Sequence, residues 1–429
     1  MKNNILSKQP YKGTTDWYPK DMFLRNYLFD IWTKVAKKYG YEEYDTAQLE
    51  DANLYRVKSG EELGGSQLYN FTDKGGREIA LRPEMTPSLA RMVALKKNEL
   101  QFPLRWFNIG RYFRYEKPQK GRKREFFQLN IDILGVQDIT AEVEIIQFAL
   151  DVMKELNAPK NSFEIKVSNR YLLDYLFDTL QISKELRVKV ARALDNYLKM
   201  SANDFKEYLA EIGLNNTQVS QVIEYTKWDI QKLDKIKDES IGAQQLTELF
   251  SKLKALSISN VVFCPYIVRG LAYYTGTVIE LYDIGQKDTP RAMFGGGRYD
   301  NLLEIFNENK IPAFGLGWGD ITTFDFLKKY NLLPEYKSDI KVFVSLMDSS
   351  LYIPTAEVAT YLRDNNINTV MQITPVKLSK QLQVANSKNI PWVVILGEDE
   401  LKRGVIQLKD MNSGKSFLIK KEDSIQKIV

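Results

Sequence analysis

Apolar and polar residues alternate with period two from residue 124 to residue 133. One side of this pattern is apolar and the other is polar and aromatic; the two sets are Phe127, Leu129, Ile131 and Ile133, and Arg124, Phe126, Gln128, Asn130 and Asp132. Such alternation predicts a β-strand that turns its apolar side to a core. The alternation by itself also fits a strand whose polar side is simply solvated.

A basic loop precedes this strand. Residues 106–115 and 125–135 are predicted to form two antiparallel strands. The basic residues around their connection are Arg114, Lys117, Lys120, Arg122, Lys123 and Arg124, and two acidic residues, Glu116 and Glu125, lie among them. Cations grouped above an ordered polar strand can hold a polyanion. The loop therefore favours a binding role for the hairpin over a merely solvated face.

The remaining pattern divides the chain. Helical spacing predicts helices over residues 23–39, 86–97 and 141–156, and short strands are predicted at 78–81 and 163–167. Residues 168–256 have few glycines and repeat apolar residues at helical intervals, which predicts an all-helical insertion. Strand-rich texture returns up to about residue 330. After a connector at 332–339, strands within 341–346, 369–374 and 392–397 alternate with two helices, which predicts a mostly parallel sheet, followed by a hairpin turning at residues 412–414.

Composition narrows the chemistry. The 429 residues are 44% hydrophobic and 27% charged, enough for two or three globular domains, and the formal net charge of +5 permits a nucleic-acid partner. The single cysteine, Cys264, excludes an internal disulfide and suits a reducing cytosol. The complete absence of histidine excludes a Ser-His-Asp triad and imidazole metal ligands. The first residues resemble no signal peptide, and no apolar run approaches a membrane span, so we expect a cytoplasmic protein.

Three further segments carry candidate chemistry, each with an ordinary structural alternative. LRPEMTPSLAR places Glu84 and Thr86 where a strand meets a helix, and these residues could simply cap that helix. RGLAYY sets Arg269 beside Tyr273 and Tyr274, and an aromatic pair in a strand is usually core. FGGGRYDNLL lets a backbone approach a ligand closely, although glycine-rich turns are common.

These segments together resemble one family. FRYE-x-PQKGR-x-REF-x-Q is similar to motif 2 of the class II aminoacyl-tRNA synthetases, and in particular to that of the histidyl-tRNA synthetases. LRPE-x-T, RGLAYY and GGRYD resemble further motifs of the same family in the same order, and KLSKQLQVANSKNIPWVVILGEDE is like the anticodon-binding domain of class IIa synthetases. The resemblance covers most of the chain.

The resemblance implies an α+β fold. We expect a class II catalytic core, an antiparallel sheet flanked by helices, over residues 1–167 and 257–330, interrupted by the helical insertion at 168–256. A linker at 331–339 and a C-terminal α/β anticodon-binding domain at 340–429 follow. The implied partners are histidine, ATP with Mg²⁺ at its phosphates, histidine tRNA and a second copy of the chain, without a membrane or a protein-held metal.

The resemblance also assigns roles residue by residue. Catalysis falls to two arginines that meet the α-phosphate, Arg114 and Arg269. ATP binding involves Arg114, Arg122 for the outer phosphates, Glu116 for the adenine amino group and Phe126 for stacking. Histidine binding involves Glu84, Thr86 and Gln128 at the α-amino group, Asp132 and Tyr299 at the imidazole, and Arg269, Tyr273 and Tyr274. Gln119 and Lys120 are the candidates for contact with the acceptor end of the tRNA.

The chain departs from the family at four positions. Ala47 stands where motif 1 usually carries a proline, Ala272 replaces an aspartate, and Lys117 replaces an arginine of the loop. In motif 3, Thr322 stands where an arginine normally covers adenine and meets the γ-phosphate. Either another cation takes its place or ATP binding is weakened.

Three functions follow as alternatives. The first is a histidine–tRNA ligase that makes histidyl-adenylate and pyrophosphate and then charges the tRNA. The second is a catalytically silent paralogue, such as a regulatory subunit of ATP phosphoribosyltransferase, which the altered motif 3 would suit. The third is a plain tRNA-binding module, which leaves the substrate-pocket motifs unexplained.

Overall fold

The computed structural model describes residues 6–57, 62–268, 273–285 and 291–428. Within them, the chain divides into two compact units, Met1–Leu333 and Pro334–Val429. The finer boundaries expected inside the first unit stay predictions. In the first unit the strands are β1 (Glu42–Glu43), β2 (Leu49–Asp51), β3 (Tyr69–Thr72), β4 (Glu78–Leu81), β5 (Leu104–Phe113), β6 (Glu125–Leu134), β7 (Phe163–Asn169), β8 (Val261–Phe263), β9 (Thr277–Asp283), β10 (Ala292–Arg298) and β11 (Ala313–Gly319).

Three helices of the first unit lie near the predicted 23–39, 86–97 and 141–156, and six lie within the predicted helical segment 168–256, whereas the helices at 52–56 and 320–329 were not predicted. The described helices of this unit are α1 (Pro19–Lys38), α2 (Ala52–Arg56), α3 (Thr86–Lys96), α4 (Thr140–Glu155), α5 (Arg170–Thr179), α6 (Lys184–Asp195), α7 (Ala202–Glu211), α8 (Asn216–Tyr225), α9 (Ile230–Ile236), α10 (Ile241–Ala255) and α11 (Asp320–Lys329). The first helix begins four residues before the predicted start, with a proline at its first position, where the missing N–H costs no hydrogen bond.

An eight-stranded sheet forms the centre of this unit, in the order β1-β5-β6-β11-β10-β9-β7-β8. The hairpin predicted from the sequence is β5 and β6, which pair antiparallel from Leu104 opposite Leu134 to Phe113 opposite Glu125. The pairs from β5 through β7 are antiparallel, and only the outermost described pairs, β1 with β5 and β7 with β8, are parallel. The expected antiparallel sheet flanked by helices is confirmed.

The apolar side of β6 faces the core, as its alternation predicts. Leu129, Ile131 and Ile133 are at most 1% exposed and belong to one buried cluster with residues of α1 and α4. Apolar residues of α5 to α10, among them Leu172 and Leu246, extend the same cluster. The helical segment thus shares its core with the sheet and does not fold as a separate apolar body.

The second unit contains strands β12 (Val342–Val344), β13 (Thr369–Met371), β14 (Trp392–Ile395), β15 (Ile406–Asp410) and β16 (Ser416–Ile419), with helices α12 (Tyr352–Asp364), α13 (Leu378–Ser387), α14 (Glu398–Lys402) and α15 (Ser424–Ile428). Its sheet has the order β13-β12-β14-β15-β16. Val342 and Val344 pack on one face and Phe343 on the other, so both faces are covered.

One prediction for this second sheet was wrong. The alternation of strands and helices predicts a mostly parallel sheet, but only β12 pairs in parallel, with β13 and with β14, while β14–β15 and β15–β16 are antiparallel. The five-residue helix α14 replaces a full crossover before β15, which returns beside β14, and a two-stranded hairpin then completes the sheet.

In the described part of the chain, no helix combines the length and the apolarity that a membrane crossing requires.

Candidate active site

The polar side of β6 is covered by protein. Asn130 is 4% exposed and Asp132 is 3% exposed, which excludes a solvated outer face for these two residues. The Asn130 amide donates to Tyr112 Oη at 2.8 Å, and that hydroxyl donates to Asn108 Oδ1 at 2.9 Å. A buried polar strand face with a hydrogen-bonded network is a costly arrangement that fixes side-chain positions.

Two glycines of β11 make room for the side chains of β6. A Cβ atom on Gly315 would lie 1.9 Å from Asp132 Oδ1, and one on Gly317 would lie 2.5 Å from Gln128 Nε2. Asp132 and Gln128 therefore lean across the neighbouring strand, where only glycine leaves the space. The two glycines of β11 are therefore needed to leave space for the polar side chains of β6.

Asp132 ends the polar row beside a tyrosine that directly follows β10. The Tyr299 hydroxyl, just after that strand, donates to Asp132 Oδ1 at 2.5 Å, and both side chains are at most 3% exposed. Burial raises the pKa of Asp132 to about 7, although the hydrogen bond from Tyr299 opposes the shift. The result is a buried carboxyl group that titrates near neutral pH and can accept a hydrogen bond from a ring N–H.

A second buried carboxylate lies beside this pair. The Tyr273 hydroxyl donates to Glu84 Oε2 at 2.6 Å, while Glu84 Oε1 is buried without a hydrogen-bond partner among the described residues. The Tyr273 and Tyr299 rings are 6.0 Å apart, which links Glu84 to the Asp132 pocket. A buried carboxylate oxygen without a donor is suited to a cationic ligand group.

The alternative of a helix cap finds no support at this position. Helix α3 begins at Thr86, its N-cap residue is Met85, and no side chain caps it. Thr86 instead lies beside the Tyr273 hydroxyl, next to Glu84. Tyr274 is 7% exposed and packs against the backbone of β10, since a Cβ on Gly297 would lie 2.7 Å from its ring.

A cleft of about 660 Å³ opens at the other end of the polar row. Five residues that the sequence predicts for ligand binding line it: Arg114, Glu116, Arg122, Phe126 and Gln128. The Arg114 guanidinium lies 5.0 Å from the centre of the Phe126 ring, and its Nε donates to the Pro83 carbonyl at 3.0 Å. That carbonyl directly precedes Glu84, so the backbone joins the cleft to the buried carboxylates.

The basic loop forms part of the wall of this cleft. Its tip is a tight turn in which the backbones of Gln119 and Arg122 hydrogen-bond to each other at 2.9 and 3.2 Å. Arg122 Nη1 lies 3.1 Å from Glu116 Oε2, whose side chain is only 9% exposed. Gln119 and Lys120 are exposed at the tip, as a contact with a macromolecule requires.

Other basic residues of the hairpin have structural partners. Arg124 donates to the Glu116 carbonyl at 3.1 Å and to Tyr11 Oη at 2.6 Å, and it lies 4.4 Å from the centre of the Tyr115 ring. Lys123 donates to Thr15 Oγ1 at 2.7 Å. These contacts attach the N-terminal segment to the base of the loop.

One predicted site residue, Arg269, lies outside the described residues, as does Ala272.

Sequence reasoning missed several other residues of the cleft wall: Asp195, Lys199, Glu280 and Arg291. Asp195 and Lys199 come from the helical segment, which no local motif connects to the hairpin. Thr322 does line the cleft. Arg291 lies just before β10, and the only signal for it is a cation three residues ahead of Phe294.

Comparisons with known proteins agree with this architecture. A family model described as histidyl-tRNA synthetase matches residues 13–318, and one described as anticodon binding domain matches residues 341–429. The histidine–tRNA ligase of Leptospira biflexa is 41% identical over 434 aligned positions, covering 100% of this chain and 99% of that protein.

Two further relatives extend the comparison. The chloroplastic and mitochondrial histidine–tRNA ligase of Arabidopsis thaliana is 37% identical over 97% of this chain and 86% of its own length. The crystal structure of histidyl-tRNA synthetase from Nostoc superposes with a TM-score of 0.81 at 26% identity, covering 99% of each chain. The similarity thus extends over both units.

Proposed function

The chain belongs to the histidyl-tRNA synthetase family, and we propose that it is a histidine–tRNA ligase. Its substrates bind in the cleft and at the two buried carboxyl groups, Glu84 and Asp132. The observation that carries the proposal is the single row on β6, which runs from Phe126 under Arg114, through Gln128, to Asp132 under Tyr299. Residues of one strand therefore line the cleft and also supply a buried carboxyl group whose pKa lies near 7.

The two ends of the row suit the two substrates. In this proposal Phe126 stacks on the adenine ring, and Glu116 accepts a hydrogen bond from the adenine amino group. Glu84 and Gln128 hold the α-ammonium group of histidine, with Thr86 beside them, and Asp132 with Tyr299 meets the imidazole. Tyr273 and Tyr274 form the wall of the side-chain pocket. The Glu84 oxygen that lacks a hydrogen-bond partner among the described residues is the best support for the ammonium assignment.

The first reaction step joins the substrates without a protein base. The carboxylate of histidine is ionised at neutral pH, so one of its oxygens attacks the α-phosphorus of ATP directly. A carboxylate–phosphorus bond forms, the bond to the β-phosphate oxygen breaks, and pyrophosphate leaves. Arg114 and Arg269 are the residues assigned to the charge that develops on the α-phosphate, and Arg122 is assigned to the outer phosphates.

Magnesium would accompany the triphosphate. No three acidic or cysteine side chains of the described residues cluster closely enough to hold a metal ion by themselves. Glu280 lines the cleft and accepts from Tyr282 Oη at 2.6 Å, so one protein carboxylate fits a Mg²⁺ that keeps most of its bonds to phosphate and water. When bound, Mg²⁺ would neutralise charge on the phosphates.

The second step transfers the histidyl group to the 3′-terminal hydroxyl of histidine tRNA, and AMP leaves. We assign Gln119 and Lys120 to the acceptor end and the second unit to the anticodon. The silent-paralogue alternative loses ground, because the full-length relatives at 37–41% identity carry the name histidine–tRNA ligase. We also propose that the protein is a cytoplasmic homodimer; a molar mass equal to one chain in solution would contradict the dimer.

Histidine-dependent exchange of pyrophosphate into ATP tests the proposed function. The purified full chain should catalyse exchange with histidine and not with the other amino acids, and should then charge histidine tRNA. A folded sample that binds ATP but shows no exchange would contradict the ligase assignment.

A further inference from the structure

Arg291 and Thr322 both lie against Gly121 at the tip of the basic loop. A Cβ atom on Gly121 would lie 2.9 Å from Arg291 Cδ and 3.5 Å from Thr322 Cγ2. Gly121 has a φ of +74°, in the left-handed region, so glycine is favoured there for its backbone as well as for the space. The stem of Arg291 therefore lies against the loop backbone, next to the position at which the family's arginine is missing.

The sheet register explains why Arg291 and Thr322 lie near the same glycine. Strands β10 and β11 pair antiparallel with Phe294 opposite Trp318. Arg291 precedes Phe294 by three residues and Thr322 follows Trp318 by four, so both lie beyond the same end of the strand pair. A side chain that enters the cleft from the start of β10 can therefore reach the space that an arginine from the start of α11 would occupy.

Among the described residues, no anionic side chain is in contact with Arg291. Arg291 is partly buried in the cleft wall, yet it makes neither a hydrogen bond nor an ion pair with any residue in the described ranges. Burial and the nearby Arg122 both lower the pKa of Arg291, and Glu116 opposes them. Glu116 already pairs with Arg122 at 3.1 Å, so an anion bound between Arg122 and Arg291 would relieve the remaining repulsion between the two guanidinium groups.

We infer that Arg291, just before β10, supplies the cation that other members of the family place at the Thr322 position, and that it binds the ATP triphosphate together with Arg122. This inference rests on the proposed function. It decides between the two outcomes that the sequence left open, because the lost motif 3 arginine is replaced from a neighbouring strand and the binding of ATP is retained.

The test uses full-length Arg291→Gln, Arg291→Lys and the double variant Arg291→Gln with Thr322→Arg. The matched control is Arg77→Gln, which removes one arginine from the turn between β3 and β4, where it pairs with Asp73. Two quantities are measured: the KM for ATP in pyrophosphate exchange, and equilibrium binding of a non-hydrolysable ATP analogue and of AMP.

Arg291→Gln should raise the KM for ATP and weaken binding of the ATP analogue by roughly 10- to 100-fold, the usual effect of losing one charge-assisted hydrogen bond. Binding of AMP and the KM for histidine should change by less than about threefold, since the contact is with the outer phosphates. Arg291→Lys should be intermediate, and adding Thr322→Arg to Arg291→Gln should restore most of the binding.

Several results would overturn the inference. One is an Arg291→Gln enzyme that binds the ATP analogue as tightly as Arg77→Gln does, and another is an equal loss of AMP binding. Failure of Thr322→Arg to restore any binding would refute the equivalence of the two positions. If the unmodified chain showed no exchange while its ATP-analogue binding still depended on Arg291, the proposed function would fail and the inference would stand.

Discussion

The hydroxyl of Tyr299 donates a 2.5 Å hydrogen bond to Asp132 Oδ1 in a pocket that excludes solvent from both side chains. The bond joins the residue after β10 to the middle strand of the site, across β11. It places a carboxyl group where a ring N–H can be recognised. It also leaves that carboxyl group costly to ionise when no ligand is present.

The cost should appear in the pH dependence of stability. Burial raises the pKa of Asp132 from 3.8 to about 7, so between these values the folded protein binds the proton more tightly than the unfolded chain. The contribution of this group to stability therefore falls as pH rises from about 4 to about 7. Asp132→Asn removes the ionisation and keeps an oxygen that accepts from Tyr299.

The ligand-free Asp132→Asn protein should be more stable than the unmodified protein at pH 8, by on the order of 1–4 kcal/mol, and by much less at pH 4.5. Its KM for histidine should rise by roughly tenfold or more. Thermal unfolding at the two pH values and pyrophosphate exchange measure these effects, with the exposed Asp325→Asn as the control. Equal stability of the variant and the unmodified protein at pH 8 would contradict a buried, ionising Asp132.

Steric space above Asp132 gives a second prediction. Gly315→Ala would set a Cβ atom 1.9 Å from Asp132 Oδ1, so the carboxyl group or the strand must move. We expect a loss of roughly 1–3 kcal/mol in stability and a raised KM for histidine. Gly65→Ala is the matched control, because a Cβ there meets nothing within 4 Å. Chemical denaturation of both variants decides: a Gly315→Ala protein as stable as Gly65→Ala would show that the site adapts freely.

These residues also show which features of the fold and the site can be predicted from the sequence. Period-two alternation was enough to predict β6, its apolar core face and the row that ends at Asp132, because alternation is a local property of a strand. Contacts between strands are not local. The proximity of both Arg291 and Thr322 to Gly121 depends on the register of β10 with β11, and Asp195 enters the cleft from a helix far away in sequence. The antiparallel return of β15 likewise depends on a connection that strand and helix spacing do not specify.

The Glu84 oxygen, which has no hydrogen-bond partner in the described part of the chain, leads to a third prediction. Glu84→Gln keeps an acceptor for Tyr273 and removes the charge that an ammonium group requires. Histidine binding should weaken by roughly 10- to 100-fold. Imidazole propionate, which lacks the amino group, should bind the variant as it binds the unmodified protein. Competition binding with both compounds measures the difference, and an equal loss for the two ligands would point to a disturbed pocket in place of a lost ammonium contact.

The exposed tip of the basic loop leads to the last prediction. Lys120 lies at the tip and outside the cleft wall, so Lys120→Ala should leave pyrophosphate exchange within about twofold and lower the rate of tRNA charging. If its ammonium group contacts a phosphate, the dependence of log affinity for tRNA on log salt should also become shallower by about 1. Lys74→Ala, at an exposed turn, is the control for the loss of one surface charge. A variant that charges tRNA like Lys74→Ala, with an unchanged salt slope, would remove Lys120 from the tRNA contact and leave the adenylate chemistry in the cleft unaffected.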